Sequence, residues 1–353
     1  MRILVLGGSG FVGRAVASAA VARGCAVTVL NRGRRPAVPG VRVLVGDRSP
    51  GADAGSAPSS GAGSGPSDAG IGSRDAGSAE YAGLGALGDE TFDAVIDTWS
   101  AQASVVGAAA SALAGRAGHY TYISSRSVYH YDEQAGTRVS GEDAPLVDAD
   151  DPGYAGDKLR GEIAAARFGG PLLLARAGLI LGPHEDIGRL PWWLRRLERG
   201  GPTLAPGPRD LPLQYVDARD LADFVLDAAA AGRTDPYDVV SEPGHTTMGE
   251  FLDVANEVTG GHADLRWTDP RAILDAGIEP WTQLPVWLPP GPLHDFLHGG
   301  DVSRAVAAGL RCRPVRDTVT DTWAWLRSLP DGPPQRADRP VVGLPPEREA
   351  ALL

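Results

Sequence analysis

The sequence predicts an α/β protein, a doubly wound parallel sheet followed by a smaller C-terminal lobe. Three observations carry that prediction. The chain opens on a short apolar strand, a glycine turn, a helix and a second strand. Short apolar runs then alternate with helical stretches to about residue 175, the order that builds a parallel sheet. Beyond that point Pro, Gly and Trp become frequent, with Trp192, Trp193, Trp267, Trp281 and Trp287 all in the second half. A length of 353 residues with 43% hydrophobic content suffices for one large domain and a lobe with its own core.

Residues 1–6 (MRILVL) are enough for a buried strand and too few to span a membrane. Gly7-Gly8-Ser9-Gly10-Phe11-Val12-Gly13 follows, then an Ala/Val-rich helix to about Arg23 and a second strand at 25–30. Gly7 permits the tight turn, Gly10 lets backbone N–H groups approach a pyrophosphate, and Gly13 lets the helix lie close on the strand. The helix N-terminus adds partial positive charge. This is the dinucleotide-binding, or Rossmann, pattern, with Ser9, Phe11 and Val12 in the same turn. Residues 41–45 read as strand three, 92–97 as strand four and 101–114 as an Ala-rich helix. Strand five spans 119–124, a helix 154–168 and strand six 172–175. Between strands three and four, residues 49–79 are rich in Gly, Ala, Ser and Pro, cannot bury a core and predict a flexible surface insertion.

Further on, 189–199 reads as a helix and 213–216 as a short strand. Asp217 suits the N-cap of a helix over 218–231. Helices at 248–259 and 316–326 complete the lobe. The expected division is a nucleotide-binding domain over 1–175 with 213–241 returning to it, a substrate lobe over 176–212 and 242–329, and a loose, Pro- and charge-rich tail over 330–353.

Composition excludes several classes. The net charge of −11 argues against binding to nucleic acid or anionic membranes, which need a basic surface. Two cysteines, Cys25 and Cys312, make no disulfide framework. No stretch approaches 18 apolar residues, and the opening strand lacks the features of a signal peptide, so a cytoplasmic protein is expected. His294-x-x-x-His298 has zinc-helix spacing, but Asp replaces the usual Glu, prolines and glycines flank it, and no third ligand is evident, so no metal is expected.

Chemistry concentrates in two places. Cations in this chain are arginines with a single exception, Lys158, four residues after Tyr154 in Tyr154-Ala155-Gly156-Asp157-Lys158. A compact ammonium does at close range what a guanidinium cannot, so the survivor points to chemistry. Strand five runs into hydroxyl side chains, Ser124-Ser125-Arg126-Ser127-Val128-Tyr129, at the carboxyl edge where open α/β sheets bind ligands.

With the segment Gln214-Tyr215-Val216-Asp217-Ala218-Arg219-Asp220-Leu221-Ala222, these motifs resemble the extended short-chain dehydrogenase/reductases, including the NAD-dependent epimerase/dehydratases, in order from residue 1 to about residue 328. The resemblance implies that Tyr154 is the general acid/base, that Lys158 lowers its pKa and holds the cofactor ribose, and that Ser125 hydrogen-bonds the substrate oxygen. It also implies that Asp47 contacts adenine with Arg48 beside it, and that Thr98 and Trp99 pass near the cofactor. A homodimer through helices of the first domain is a further implication. At the end of strand two stands Asn31, followed by Arg32, Gly33, Arg34 and Arg35. No carboxylate there repels a 2′-phosphate and guanidiniums can bind it, so NADP is favoured, with NAD the alternative. Tyr129, His130, His184 and Trp192 are candidate pocket residues for a small-molecule substrate.

The expected activity is hydride transfer to or from a carbonyl or alcohol. Two alternatives stand beside it: a nucleotide-sugar epimerase or dehydratase holding NAD tightly, and a non-catalytic nucleotide-binding regulatory or RNA-binding protein. Arg176-Ala177 replaces the Arg-Pro common in the family after strand six.

Overall fold

The computed structural model describes residues 1–49, 82–133, 141–330, 332–333, 335–337 and 339–353. Along the first half run β1 (Arg2–Leu6), α1 (Phe11–Ala22), β2 (Ala26–Asn31), β3 (Arg42–Val45), β4 (Ala94–Asp97), α2 (Ala103–Leu113), β5 (Tyr120–Ser125), α3 (Tyr154–Ala165) and β6 (Leu172–Ala177). Next come β7 (Ile180–Leu181), α4 (Arg189–Glu198), β8 (Gly201–Pro206), β9 (Pro212–Leu213), β10 (Val216–Asp217), α5 (Ala218–Ala230) and β11 (Asp235–Val239). The chain continues through β12 (Thr246–Thr247), α6 (Met248–Val258), β13 (Ala263–Thr268), α7 (Pro270–Asp275), α8 (Pro292–His298), α9 (Ser303–Ala307), α10 (Val315–Arg327) and α11 (Pro346–Ala350).

Seven strands form one parallel sheet in the order β11-β6-β5-β4-β1-β2-β3. The chain steps outward from β1 to β3, then returns beside β1 as β4 and steps the other way. That reversal leaves the carboxyl ends of β1 and β4 diverging into a crevice, where this architecture binds ligands. Side-chain alternation fixes the two faces. Ile3 and Val5 pack under α1 and α5 with Val16, Leu221 and Val225, whereas Leu4 and Leu6 pack under α2 and α3 with Val106, Leu113 and Phe168. A third core, built on Trp193, Leu197, Phe251, Trp287, Val319 and Leu326, holds the C-terminal lobe. The tryptophans Trp193 and Trp287 are core, each indole N–H satisfied by a backbone carbonyl, Pro285 and Gly207 respectively.

Three expectations need correction. The strand expected at 213–216 is two separate ladders, β9 against β12 and β10 against β7. Gln214 leaves the ladder because its buried amide bonds Ser241 and Gly300. Strand six continues to Ala177, since Arg176 and Ala177 pair with β11 and β5. The tail after Pro330 is not loose at its described residues. Leu344 joins the core of the lobe, α11 forms, and the Glu349 carboxylate meets Arg196 in a buried pair. The low-complexity stretch at 49–79 lies, apart from Ser49, outside the described residues. Among the described residues no helix is long and apolar enough to cross a membrane.

Candidate active site

The glycine turn follows β1 directly. Gly7 has φ of +99° and donates its N–H to Leu30 O at 2.9 Å. A Cβ at Gly7 would run into Thr98 Oγ1, and one at Gly13 into the Gly7 carbonyl, so both positions require glycine. A Cβ at Gly10 would meet only Gly7 O, at 3.8 Å, which leaves the approach to the start of α1 open. Gly10 is the N-cap and offers no side-chain acceptor, and the first turn carries no acidic residue. The leading N–H groups of α1, from Phe11, Val12 and Gly13, therefore face the open turn without a side-chain partner. That cradle fits the diphosphate of a dinucleotide.

At the end of β2, Asn31 is buried and its Oδ1 accepts the Gly33 N–H at 2.7 Å, holding the turn that exposes Arg32 and Arg34. Arg35 is paired with Asp186 at 2.7 Å, which commits one of the guanidiniums expected for a phosphate. Asp47 accepts the Ser49 N–H at 2.9 Å. Burial works against its charge, but the Ser49 hydrogen bonds and the Arg32 and Arg34 cations hold its carboxyl below the usual range. Arg48 does not lie open beside it. Its guanidinium turns inward, bonds Asp97 through both NH groups at 3.1 and 2.8 Å, and lies over the Trp99 ring. Asp97 also accepts from Tyr120 Oη and from the Trp99 N–H, so this pair sets the end of β4 and is not a free ligand for adenine. Thr98 bonds Leu6 O at 2.9 Å and closes the glycine turn from the β4 side.

Gly153, at φ of +86°, leads into α3, and Tyr154 is its first residue, 39% exposed. One turn on, Lys158 is only 3% exposed. Its Nζ donates to Ile123 O at 2.6 Å, Trp99 O at 3.1 Å and Tyr122 Oη at 3.4 Å, three acceptors for three N–H bonds. Burial drives the ammonium down to about 7, against the pull of Asp97 and Glu162 and with the push of Arg339 and Arg336. Lys158 thus ties α3 to the ends of β4 and β5 from inside the protein. The ribose-holding role that the resemblance implies for Lys158 therefore meets a side chain that is buried with its donors already engaged, whereas Tyr154 is partly exposed. Ser125, buried at the end of β5, accepts the Ser127 N–H at 3.1 Å and so caps the 3-10 turn Arg126–Val128.

Beneath these residues lies a polar network that the sequence pattern did not reveal. Ser124 donates to Glu162 at 2.6 Å, and Arg176 grips Glu162 through Nε and NH2 at 3.0 and 2.9 Å. Arg176 also donates to Tyr129 Oη, which donates to Asp238 at 2.6 Å, and Arg126 Nε closes on Asp238 at 3.2 Å. Tyr129, a candidate pocket residue, is therefore buried with its hydroxyl engaged in this network. The one available signal was Glu162, four residues after Lys158 on the same side of α3.

The remaining candidates scatter. His130 is exposed, its N–H on Pro145 O. His184 rests on Trp325 at 5.2 Å, and burial, with nearby Arg14, pushes it down to about 4. Trp192 packs edge-on to Trp193 at 4.7 Å and is covered by Gly343 from the C-terminal segment. His294 and His298 stack at 5.0 Å, but His294 Nε2 is engaged by Pro212 O and His298 Nδ1 by the Gln214 N–H. Among the described residues no group of three or more His, Cys, Asp or Glu is placed to hold a metal ion.

No family model matches the chain, and no curated protein matches it. Solved structures do. The Bordetella bronchiseptica enzyme WbmH in complex with NAD+ is 16% identical over 92% of this chain and 98% of its own, with a TM-score of 0.64. WbmG from the same organism, in complex with NAD and UDP, is 18% identical over 96% and 99%, TM-score 0.62. UDP-glucose 4-epimerase from Thermus thermophilus, in complex with NAD, is 20% identical over 92% and 99%, TM-score 0.59. At these identities the likeness is one of fold, and it agrees with the Rossmann sheet described above.

Proposed function

We propose that this chain is an NAD(P)-dependent enzyme of the extended short-chain dehydrogenase/reductase type, acting on an alcohol or carbonyl carbon of a small molecule. One observation carries the reading. Tyr154, exposed at the first turn of α3, stands above a buried Lys158 anchored to the carboxyl ends of β4 and β5, on the sheet edge that also carries the uncapped start of α1. The nicotinamide supplies or accepts the hydride when bound. The protein binds its diphosphate with the α1 amides, and Tyr154 gives or takes the proton at the substrate oxygen. Ser125 can turn its hydroxyl from the Ser127 cap to that same oxygen. Lys158 fixes the α3 start and, below about pH 7, adds positive charge beneath it.

NADP is the favoured cofactor, because Arg32 and Arg34 are exposed beside an uncharged Asn31. NAD is the alternative, and the names of the structural neighbours, bound to NAD and in one case to UDP, favour a second reading as a nucleotide-sugar epimerase or dehydratase. The test is to purify the protein, release any retained nucleotide and identify it by mass. Retained NAD supports the epimerase or dehydratase reading. Weakly held, exchangeable NADP supports the reductase. In either case Tyr154→Phe should still bind nucleotide but lose turnover on a panel of carbonyl and nucleotide-sugar substrates; unchanged turnover removes Tyr154 as the acid/base.

A further inference from the structure

The C-terminal segment crosses the site just described. The Arg339 guanidinium carbon sits 4.9 Å above the centre of the Tyr154 ring. Its Nε is buried and has no hydrogen-bond partner among the described residues. A charged donor held in that state is costly unless something accepts from it.

The segment is held on both sides of Arg339. Upstream, the Arg336 N–H bonds Asp186 O at 3.0 Å, and the Arg339 N–H bonds Arg336 O at 3.3 Å. Downstream, the Gly343 N–H bonds Thr282 O at 2.8 Å and Leu344 enters the core of the lobe. Gly343 has φ of +119°, and a Cβ there would collide with the Trp192 indole, so the close crossing depends on glycine. Arg336, Arg339 and Gly343 are thus each tied by a backbone hydrogen bond, and the Arg339 guanidinium lies over Tyr154.

Arg339 also acts on the charges around it. Burial first, then Arg339, lowers the proton affinity of Arg189, and Arg339 acts in the same sense on Lys158. Arg339 lies over the Tyr154 ring, and Arg189 is close enough for the tyrosine and Arg339 both to act on its charge. Burial raises the Glu185 carboxyl beside Arg189 to about 7, and its oxygens are taken by the N–H groups of Arg189 and Leu190. Arg35 takes up the charge of Asp186.

Resting on the reading of Tyr154 as the acid/base, we propose that the C-terminal segment forms a wall of the reaction site and that Arg339 selects substrates carrying a carboxylate or phosphate next to the reacting carbon. A guanidinium facing the tyrosine reaches an anion one or two bonds from the oxygen that Tyr154 addresses, and it offers the planar fork that such anions fit.

The test uses the full chain, after binding of NADP+ and NAD+ has been measured by calorimetry. Matched probes are then titrated by ligand-observed NMR: lactate against propane-1,2-diol for the carboxylate, and glycerol 3-phosphate against glycerol for the phosphate. At least one anion should bind the parent about 10-fold or more tightly than its neutral partner, as one charge-assisted contact allows. Arg339→Gln should abolish most of that gap, and Arg339→Lys should restore part of it. No preference for either anion in the parent, or a gap that survives in both variants, overturns the proposal. Failure to bind either nucleotide sinks the functional reading separately, and the same four titrations on the nucleotide-free protein still decide the role of Arg339.

Discussion

At Lys158 the structure turns a motif residue into a titrating group inside the protein. Its ammonium is held down to about 7 from an ordinary 10.5, chiefly by burial. Below pH 7 it is charged in folded and unfolded states alike. Between about 7 and 10.5 the folded state has shed the proton while the unfolded chain keeps it, so this group makes stability rise with pH across that window. In denaturant titrations from pH 7 to 9, the parent should therefore gain stability relative to Lys158→Met; a constant difference would show that the lysine does not titrate there. Lys158→Arg should be poorly tolerated, since a wider guanidinium must enter a space lined by Ile123 O, Trp99 O and Tyr122. Arg32 offers a contrasting test because it is exposed. If NADP is the cofactor, Arg32→Ala should weaken NADPH by roughly 10-fold or more and leave NADH nearly unchanged, as loss of one charge-assisted contact implies. Equal losses for both nucleotides would remove the 2′-phosphate from its role.

Helix α4 shows how an element can be capped from outside its own N-cap. Gly188 provides no side chain, and the Glu185 carboxylate instead accepts the N–H groups of Arg189 at 2.9 Å and Leu190 at 3.1 Å. Glu185→Ala should leave both unpaired, the Leu190 N–H buried and the Arg189 N–H half-buried, costing about 1–2 kcal/mol in chemical unfolding. Burial raises the carboxyl to about 7 from 4.5, against the pull of Arg189 and the two N–H bonds. Its contribution is thus complete below about pH 4.5 and lost as pH rises through 7. Glu185→Gln keeps an acceptor without the titration, so the parent should lose stability relative to it over that range. A parallel pair of pH profiles would contradict the assignment. In the same way α5 starts where Asp217 accepts the Arg219 N–H, the N-cap legible from its place before an amphipathic run.

Across the whole molecule, the C-terminal segment joins the lobe to the site. Glu349 on α11 is 4% exposed and bonds Arg196 on α4 at 2.8 and 2.6 Å, with the Leu204 N–H on the same carboxylate. Removing it strands a buried guanidinium, so Glu349→Ala should destabilise by about 3 kcal/mol, softened by the Gly200 and Pro202 carbonyls that Arg196 retains. Ending the chain at Pro330 should lower the melting temperature further, because Leu344 leaves the core as well. Unchanged melting would return this segment to the loose tail that its composition suggests.

What depends on local periodicity and local backbone demands was legible in the order of the amino acids. Alternating apolar runs set β1 to β6 and their helices, Gly7 and Gly13 set the turn, and Tyr154 and Lys158 were bound to share a face of one helix. Which charges are buried, and whom they meet, emerged only when the chain folded. Arg48 and Asp97 are 49 residues apart, and Arg196 and Glu349 are 153 apart. In a chain that uses arginine for almost every cation, spacing does not distinguish a guanidinium bound for solvent from one bound for the core. Packing makes that choice, because a buried guanidinium is tolerated only where the fold delivers a carboxylate in the right plane. For the same reason Lys158 reads from the sequence as a ligand of the cofactor and becomes, in the fold, a buried ammonium bonded to Ile123, Trp99 and Tyr122.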